Sequence, residues 1–254
     1  MSTEIDVQLE GHVATVTLRR PPNNFIDLSL TAQLADALEA LDAEANCRAV
    51  VLAAEGKHFC AGADFSQAGR RAGDADGKGR TIYTEGVRLL RTRKPIVAAV
   101  QGAAVGAGLG LAVVADFRLA GPEARFAANF TRLGYHPGFG LTRSLPRLIG
   151  AQRAALMFMT GRRFTGAQAV EMGLADQLAD DVLAAAQALA AEIAEAAPLA
   201  IAATRATLRA GLAAEYEAAT AHELAQQAVL RETADFREGT AASRERRPPR
   251  FLGV

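Results

Sequence analysis

The sequence predicts an α/β core followed by a helical C-terminal section. Strand-length apolar runs alternate with amphipathic helix patterns as far as Ala127, and beyond Pro137 the pattern is helical almost throughout. Two of the strands also run directly into glycine- and alanine-rich turns. At 254 residues the chain suits one large domain, or a domain with an appendage. By composition the boundary falls near Pro198, giving a core over 1–197 and a helical section over 198–254.

Taken in order, Ile5, Val7 and Leu9 alternate, and Val13, Val16 and Leu18 resume the pattern after Glu10-Gly11, as in a β-hairpin. The polar stretch Arg19-Arg20-Pro21-Pro22-Asn23-Asn24 breaks it. From 29 to 44, Leu30, Leu34, Leu38 and Leu41 share one helical face, with Asp27 or Ser29 as N-cap. Each leucine contributes roughly 1.5–3 kcal/mol if fully buried, which marks this helix as scaffold. The run Ala49-Val50-Val51-Leu52-Ala53-Ala54 follows as a buried strand, and the β-α-β order implies a right-handed crossover if the strands are parallel.

Between Phe65 and Thr81 the composition turns to Gly, Asp, Arg and Lys, which predicts a mobile flap. A helix is expected over 80–91, and Ile96-Val97-Ala98-Ala99-Val100 reads as the next strand. Residues 101–110 should lead it into an apolar helix ending at Ala115. Residues 116–120 and 125–127 read as short strands, with Asp116 as a structural carboxylate closing a turn. Helices are expected over 141–149, 151–159, 166–172 and 182–196, then in alanine-rich segments to Glu238.

Chemistry is expected at two turns. The strand ending at Ala54 is followed by Glu55-Gly56-Lys57-His58-Phe59-Cys60-Ala61-Gly62-Ala63-Asp64-Phe65, whose small residues leave backbone N–H groups open to a ligand. The second turn, Gln101-Gly102-Ala103-Ala104-Val105-Gly106-Ala107-Gly108, opens a helix whose first N–H groups are free to stabilise negative charge. Converging, the two would hold one oxygen between two donors.

Composition excludes other classes. The 28 basic residues balance 28 acidic ones, so nothing favours nucleic-acid or membrane partners. With no signal pattern and no bilayer-length apolar run, a soluble cytoplasmic protein is expected. Cys47 and Cys60 lie far apart without clustered histidines, so they read as reduced thiols and not metal ligands. Cys60 is expected as a small buried hydrophobe.

The order and spacing of several motifs resemble the enoyl-CoA hydratase/isomerase (crotonase) superfamily over nearly the whole chain. They are Arg20-Pro21, the turn from Phe59 to Asp64, the stretch from Gln101 to Gly110, Leu133-Gly134, Pro137-Gly138, Leu145-Pro146-Arg147-Leu148-Ile149-Gly150 and Phe236-Arg237-Glu238-Gly239. The resemblance implies a crotonase-like spiral of ββα units whose helical section forms a homotrimer or a hexamer. It implies an acyl-CoA thioester as substrate, with no cofactor beyond that CoA. The oxyanion donors would be the N–H groups of Ala63 and Ala107, flanked by Ala61, Asp64, Phe65 and Gly106. CoA would run along Asn24 and Phe25, and Arg246 in the basic tail would reach its phosphates; a plain connector and a solvated basic end are the competing readings. Tyr83 and Glu85 would border the acyl group unless they are surface residues.

One departure stands out. The family's hydratases use two glutamates as acid and base, and the resemblance puts Gly110 and Phe130 in those positions. Gly138 stands where other branches carry an aspartate. The replacement candidates are His136, with an ordinary pKa near neutrality, and Tyr135, each equally readable as core packing. Asp64 reads as a structural acceptor and His58 as solvent-facing or at the CoA edge.

Overall fold

In a computed structural model, residues 3–63, 75–77 and 79–254 are described. The expected flap lies largely outside them, as do Asp64 and Phe65. The chain opens with an antiparallel hairpin of β1 (Ile5–Glu10) and β2 (Val13–Leu18), paired from Ile5↔Leu18 to Glu10↔Val13. Its turn needs Gly11, whose φ is +57°. Helix α1 (Leu28–Ala43) is capped by Asp27, whose carboxylate accepts from the Leu30 N–H at 2.9 Å. It returns the chain to β3 (Ala49–Ala54), parallel to β2.

Helix α2 (Ile82–Arg91) starts at a capping box between Thr81 and Thr84. Strand β4 (Ile96–Val100) follows, then β5 (Ala103–Val105), helix α3 (Ala107–Val114), β6 (Phe117–Ala120) and β7 (Arg125–Ala127). After a 3-10 turn over Asn129–Leu133 come α4 (Leu141–Ile149), α5 (Ala151–Thr160), β8 (Phe164–Thr165), α6 (Gly166–Glu171) and β9 (Gln177–Leu178). The chain closes with α7 (Val182–Glu195), α8 (Pro198–Leu208), α9 (Leu212–Leu230) and α10 (Ala234–Glu245).

Six strands form one sheet in the order β1-β2-β3-β4-β6-β9, and β5-β7-β8 form a second. The unbroken apolar run of β3 reflects burial on both faces. Val50 and Leu52 join the main core, while Ala49, Val51 and Ala53 turn to a second core with Val97, Ala99 and Leu119. There α7 lays down Val182, Ala186, Ala190 and Ala194, small side chains at helical spacing that let it sit close to the sheet.

Strand β5 was not separable in the sequence from the helix that follows it. The helix begins at Ala107 because residues 103–105 hydrogen-bond elsewhere. Phe59 N–H donates to Gln101 O (2.9 Å), Cys60 N–H to Ala103 O (2.9 Å) and Val105 N–H to Cys60 O (3.1 Å). Alanine and glycine carry no preference that would announce this pairing. The two-residue β8 and β9 were missed likewise, being too short for periodicity.

Asp116 is the structural carboxylate expected. It accepts from Ile96 N–H (2.8 Å) and pairs with Arg205 (2.8 Å) and Arg209 (2.7 Å) of the α8 segment. Burial works to raise its pKa, but the two arginines outweigh it, and the carboxyl lies below its ordinary value. Among the described residues no single helix is long and apolar enough to cross a membrane.

Candidate active site

The two small-residue turns meet as parallel neighbours, bridged at Cys60↔Ala104. Close approach depends on missing side chains: a Cβ on Gly62 would lie 2.9 Å from Val105 O, and one on Gly108 would collide with Cys60 O. His58 adds a third tie, its Nδ1 accepting from Ala103 N–H at 3.1 Å. Burial, then Lys57 and Arg163, push the pKa of His58 down and favour the neutral ring this bond needs. His58 is therefore a brace between the turns.

Both turns line a cavity of about 300 Å³, which takes in Ala61, Gly62 and Ala63 from one and Val105, Gly106 and Ala107 from the other. Among the described residues neither the Ala63 nor the Ala107 N–H donates to a peptide oxygen. Ala107 is the first residue of α3, where an N–H has no partner in its own helix. Cys60 beneath the turn is fully buried, and burial pushes its thiol up to about 12, so it stays a neutral packing group.

The remaining wall is apolar at Phe25, Ile82, Phe130, Leu133 and Phe139, with polar side chains at Asn129, Thr240, Ser243 and Arg244 and a hydrogen-bonded cluster around Gln227. Gln227 of α9, 1% exposed, accepts at Oε1 from the hydroxyls of Tyr83 and of Tyr135 (2.9 Å) and donates from Nε2 to His136 O (2.9 Å). Tyr135 in turn accepts from Arg231 Nε (2.7 Å), with that guanidinium 5.4 Å from its ring centroid. Burial raises the pKa of Tyr83, so its phenol is a donor across the physiological range.

The three positions without an acid are filled by neighbours. A Cβ on Gly110 would lie 2.6 Å from the Phe139 ring, Phe130 covers the cavity wall, and a Cβ on Gly138 would collide with Gln227 Nε2 and lie 2.8 Å from the Tyr83 hydroxyl. Among the described residues no aspartate, glutamate or histidine lines the cavity.

Several expected contacts lie elsewhere. Asn24 does not face the cavity: it is 0% exposed, with Nδ2 donating to Glu55 O (2.9 Å) and His58 O (2.7 Å) and Oδ1 accepting from Arg20 N–H (2.9 Å). It brackets the first turn instead. His136 is outside the cavity, its Nδ1 2.7 Å from Pro137 O and its ring edge-on to His222. Arg246 is an exposed C-cap with φ +56°, whereas Thr240, Ser243 and Arg244 of α10 reach the cavity. Glu85 is buried but pairs with Arg88 at 2.5 Å away from this cavity, while Tyr83 faces it and is not a surface residue.

The sequence reading missed Gln227 and Phe139. A signal for the first was present: Tyr216, Thr220, Glu223 and Gln227 recur at helical spacing on the buried face of α9, a polar stripe where leucines would be ordinary. Glu223 in that stripe accepts from Gly140 N–H (2.7 Å) and Thr142 N–H (2.9 Å), which fixes the turn carrying Phe139 at φ +59°.

Known proteins are similar to this chain over nearly their full length. The family model described as enoyl-CoA hydratase/isomerase matches residues 8–253. A probable enoyl-CoA hydratase of Mycobacterium tuberculosis is 40% identical over 250 residues, covering 94% of this chain and 97% of that protein. The 2,3-dehydroadipyl-CoA hydratase of Escherichia coli is 32% identical over 256 residues, covering 99% of each. The crystal structure of an enoyl-CoA hydratase/isomerase from Pseudoalteromonas atlantica superposes with a TM-score of 0.87 at 30% identity, covering 98% of this chain and 100% of that one. The α/β spiral with its helical C-terminal section is thus the crotonase fold, and the chain belongs to the enoyl-CoA hydratase/isomerase family of enzymes.

Proposed function

We propose that the protein binds an acyl- or enoyl-CoA and stabilises the thioester enolate between the N–H groups of Ala63 and Ala107. The supporting observation is that two hydrogen-bonded turns bring unpartnered amides to one cavity, bare of side chains at that point. Donors already in position lose little to reorganisation and act most strongly where water is excluded. The apolar wall favours the acyl group, and Arg244 at the cavity favours the anionic CoA. CoA enters as part of the substrate, and the reading needs no other cofactor. The exposed Leu199, Leu208 and Val229 on α8 and α9 support assembly as a homotrimer or hexamer, and a cytoplasmic enzyme fits this chemistry.

Ordinary hydration with two carboxylates is not the reaction we assign. Among the described residues the most acidic cavity side chains positioned to move a proton are the phenols of Tyr83 and Tyr135, which favours isomerisation, decarboxylation or hydrolysis; a weakly catalytic acyl-CoA binder is the second reading, favoured by Phe139 in the space beside Gly110. The test is infrared difference spectroscopy with butyryl-CoA labelled with ¹³C at the thioester carbonyl. Its band should move to lower frequency on binding; a bound ester with an unshifted band overturns the oxyanion assignment.

A further inference from the structure

Gln227 holds more donors than its position needs. Its Oε1 accepts from two phenols, so either can leave without stranding a buried carbonyl. The orientation of the amide is fixed, because His136 O requires the Nε2 donor. Of the two phenols, Tyr135 is also held by Arg231, whereas Tyr83 bonds Gln227 alone among the described residues. Gln227 Nε2 has a second N–H with no acceptor among them. Tyr83, Gln227 and Gly138 line the cavity together, and both the Tyr83 hydroxyl and Nε2 pack so close to Gly138 that only a residue without a Cβ fits beside them. Two donors therefore border the cavity beside Gly138, backed by the Arg231 cation on Tyr135 and joined by Arg244 on the same cavity.

We infer that Tyr83 and Gln227 form a recognition site for a second oxygen acceptor, a ketone or a carboxylate, carried by the acyl group of the thioester. The inference rests on the acyl-CoA reading and names its substrate class. An acceptor in the cavity beside Gly138 takes the Tyr83 O–H and the second N–H of Gln227, while Tyr135 keeps Oε1 satisfied. A hydrocarbon acyl group leaves both donors as they are and forgoes these bonds. Tyr83 and Gln227 are thus specificity-determining residues, and Gly138 is the neighbour whose missing side chain lets them pack at the cavity wall.

Calorimetric titration of the full-length protein with length-matched thioesters tests this. Butyryl-CoA is compared with acetoacetyl-CoA and succinyl-CoA, and hexanoyl-CoA with 3-oxohexanoyl-CoA and adipyl-CoA. At one chain length at least, an oxygenated ester should bind about tenfold more tightly than its hydrocarbon partner; the keto and acid arms tell which acceptor is preferred. In Tyr83→Phe, which removes one of the two donors and leaves Gln227 bonded to Tyr135, the ratio should fall severalfold. Equal affinities at both lengths in the wild type, or a ratio unchanged in Tyr83→Phe, overturn the inference while the acyl-CoA reading stands. Absence of binding by every ester overturns both.

Discussion

The ring of Phe139 stands over Gly110, 2.6 Å from where a Cβ on that glycine would be. The two residues lie on different elements, one just ahead of α4 and the other inside α3. The space beside Gly110 is therefore not empty, because a neighbour has closed over it. Tyr216 packs edge-on to that ring at 6.3 Å and is itself accommodated by Gly140, where a Cβ would collide with it.

This contact reverses a familiar expectation. Glycine to alanine inside a helix ordinarily stabilises by up to about 1 kcal/mol. In Gly110→Ala the methyl meets Phe139, and overpacking costs typically about 1–3 kcal/mol. The urea midpoint should fall with unchanged slope; a rise would show that Phe139 yields freely.

Ala107 permits removal of one amide alone. Proline is tolerated at the first position of a helix, and Ala107 occupies that position in α3 after Gly106. Ala107→Pro should keep its far-ultraviolet dichroism and lose the shift of the bound thioester carbonyl band. Turnover on any accepted ester should drop about 10²–10³-fold, as for loss of one oxyanion donor. Wild-type turnover would remove Ala107 from the site.

Asn24→Ala should cost roughly 1–3 kcal/mol or more of unfolding free energy, since the Glu55 and His58 carbonyls and the Arg20 N–H each lose a buried partner. Chemical denaturation measures this directly. A loss of CoA affinity without loss of stability would instead return Asn24 to the binding surface.

Acid should act through Asp116. Its folded pKa is lowered, so its stabilisation is complete above the ordinary value of 3.8 and is lost as the pH falls through the lower folded value. Asp116→Asn should be less stable at pH 7, where Arg205 and Arg209 lose their counter-charge. The gap in denaturation midpoint between the two proteins should narrow as the pH is taken from 5 to 2; a constant gap would exclude this carboxylate.

Legibility in the sequence followed the range of the forces. The hairpin, α1 with its Asp27 cap and the buried β3 rest on local periodicity and were readable. The two turns were readable because small residues after a strand mean bare backbone. Gln227 was not, since its partners Tyr83 and Tyr135 lie 144 and 92 residues away and one polar residue on a helix does not say what it faces. Arg246 and Arg244 are two residues apart on a helix end, and only the packing of α10 decides which reaches the cavity. His136 looked suitable by type, but its ring settled on His222.

The bonds from Phe59, Cys60 and Val105 that join the two turns run entirely through main chain. Apart from the bare Gly62 and Gly108 and the bracing His58 and Asn24, side chains around them can change identity without disturbing where the peptide dipoles point. The lining of the cavity can therefore vary while this main-chain frame stays in place.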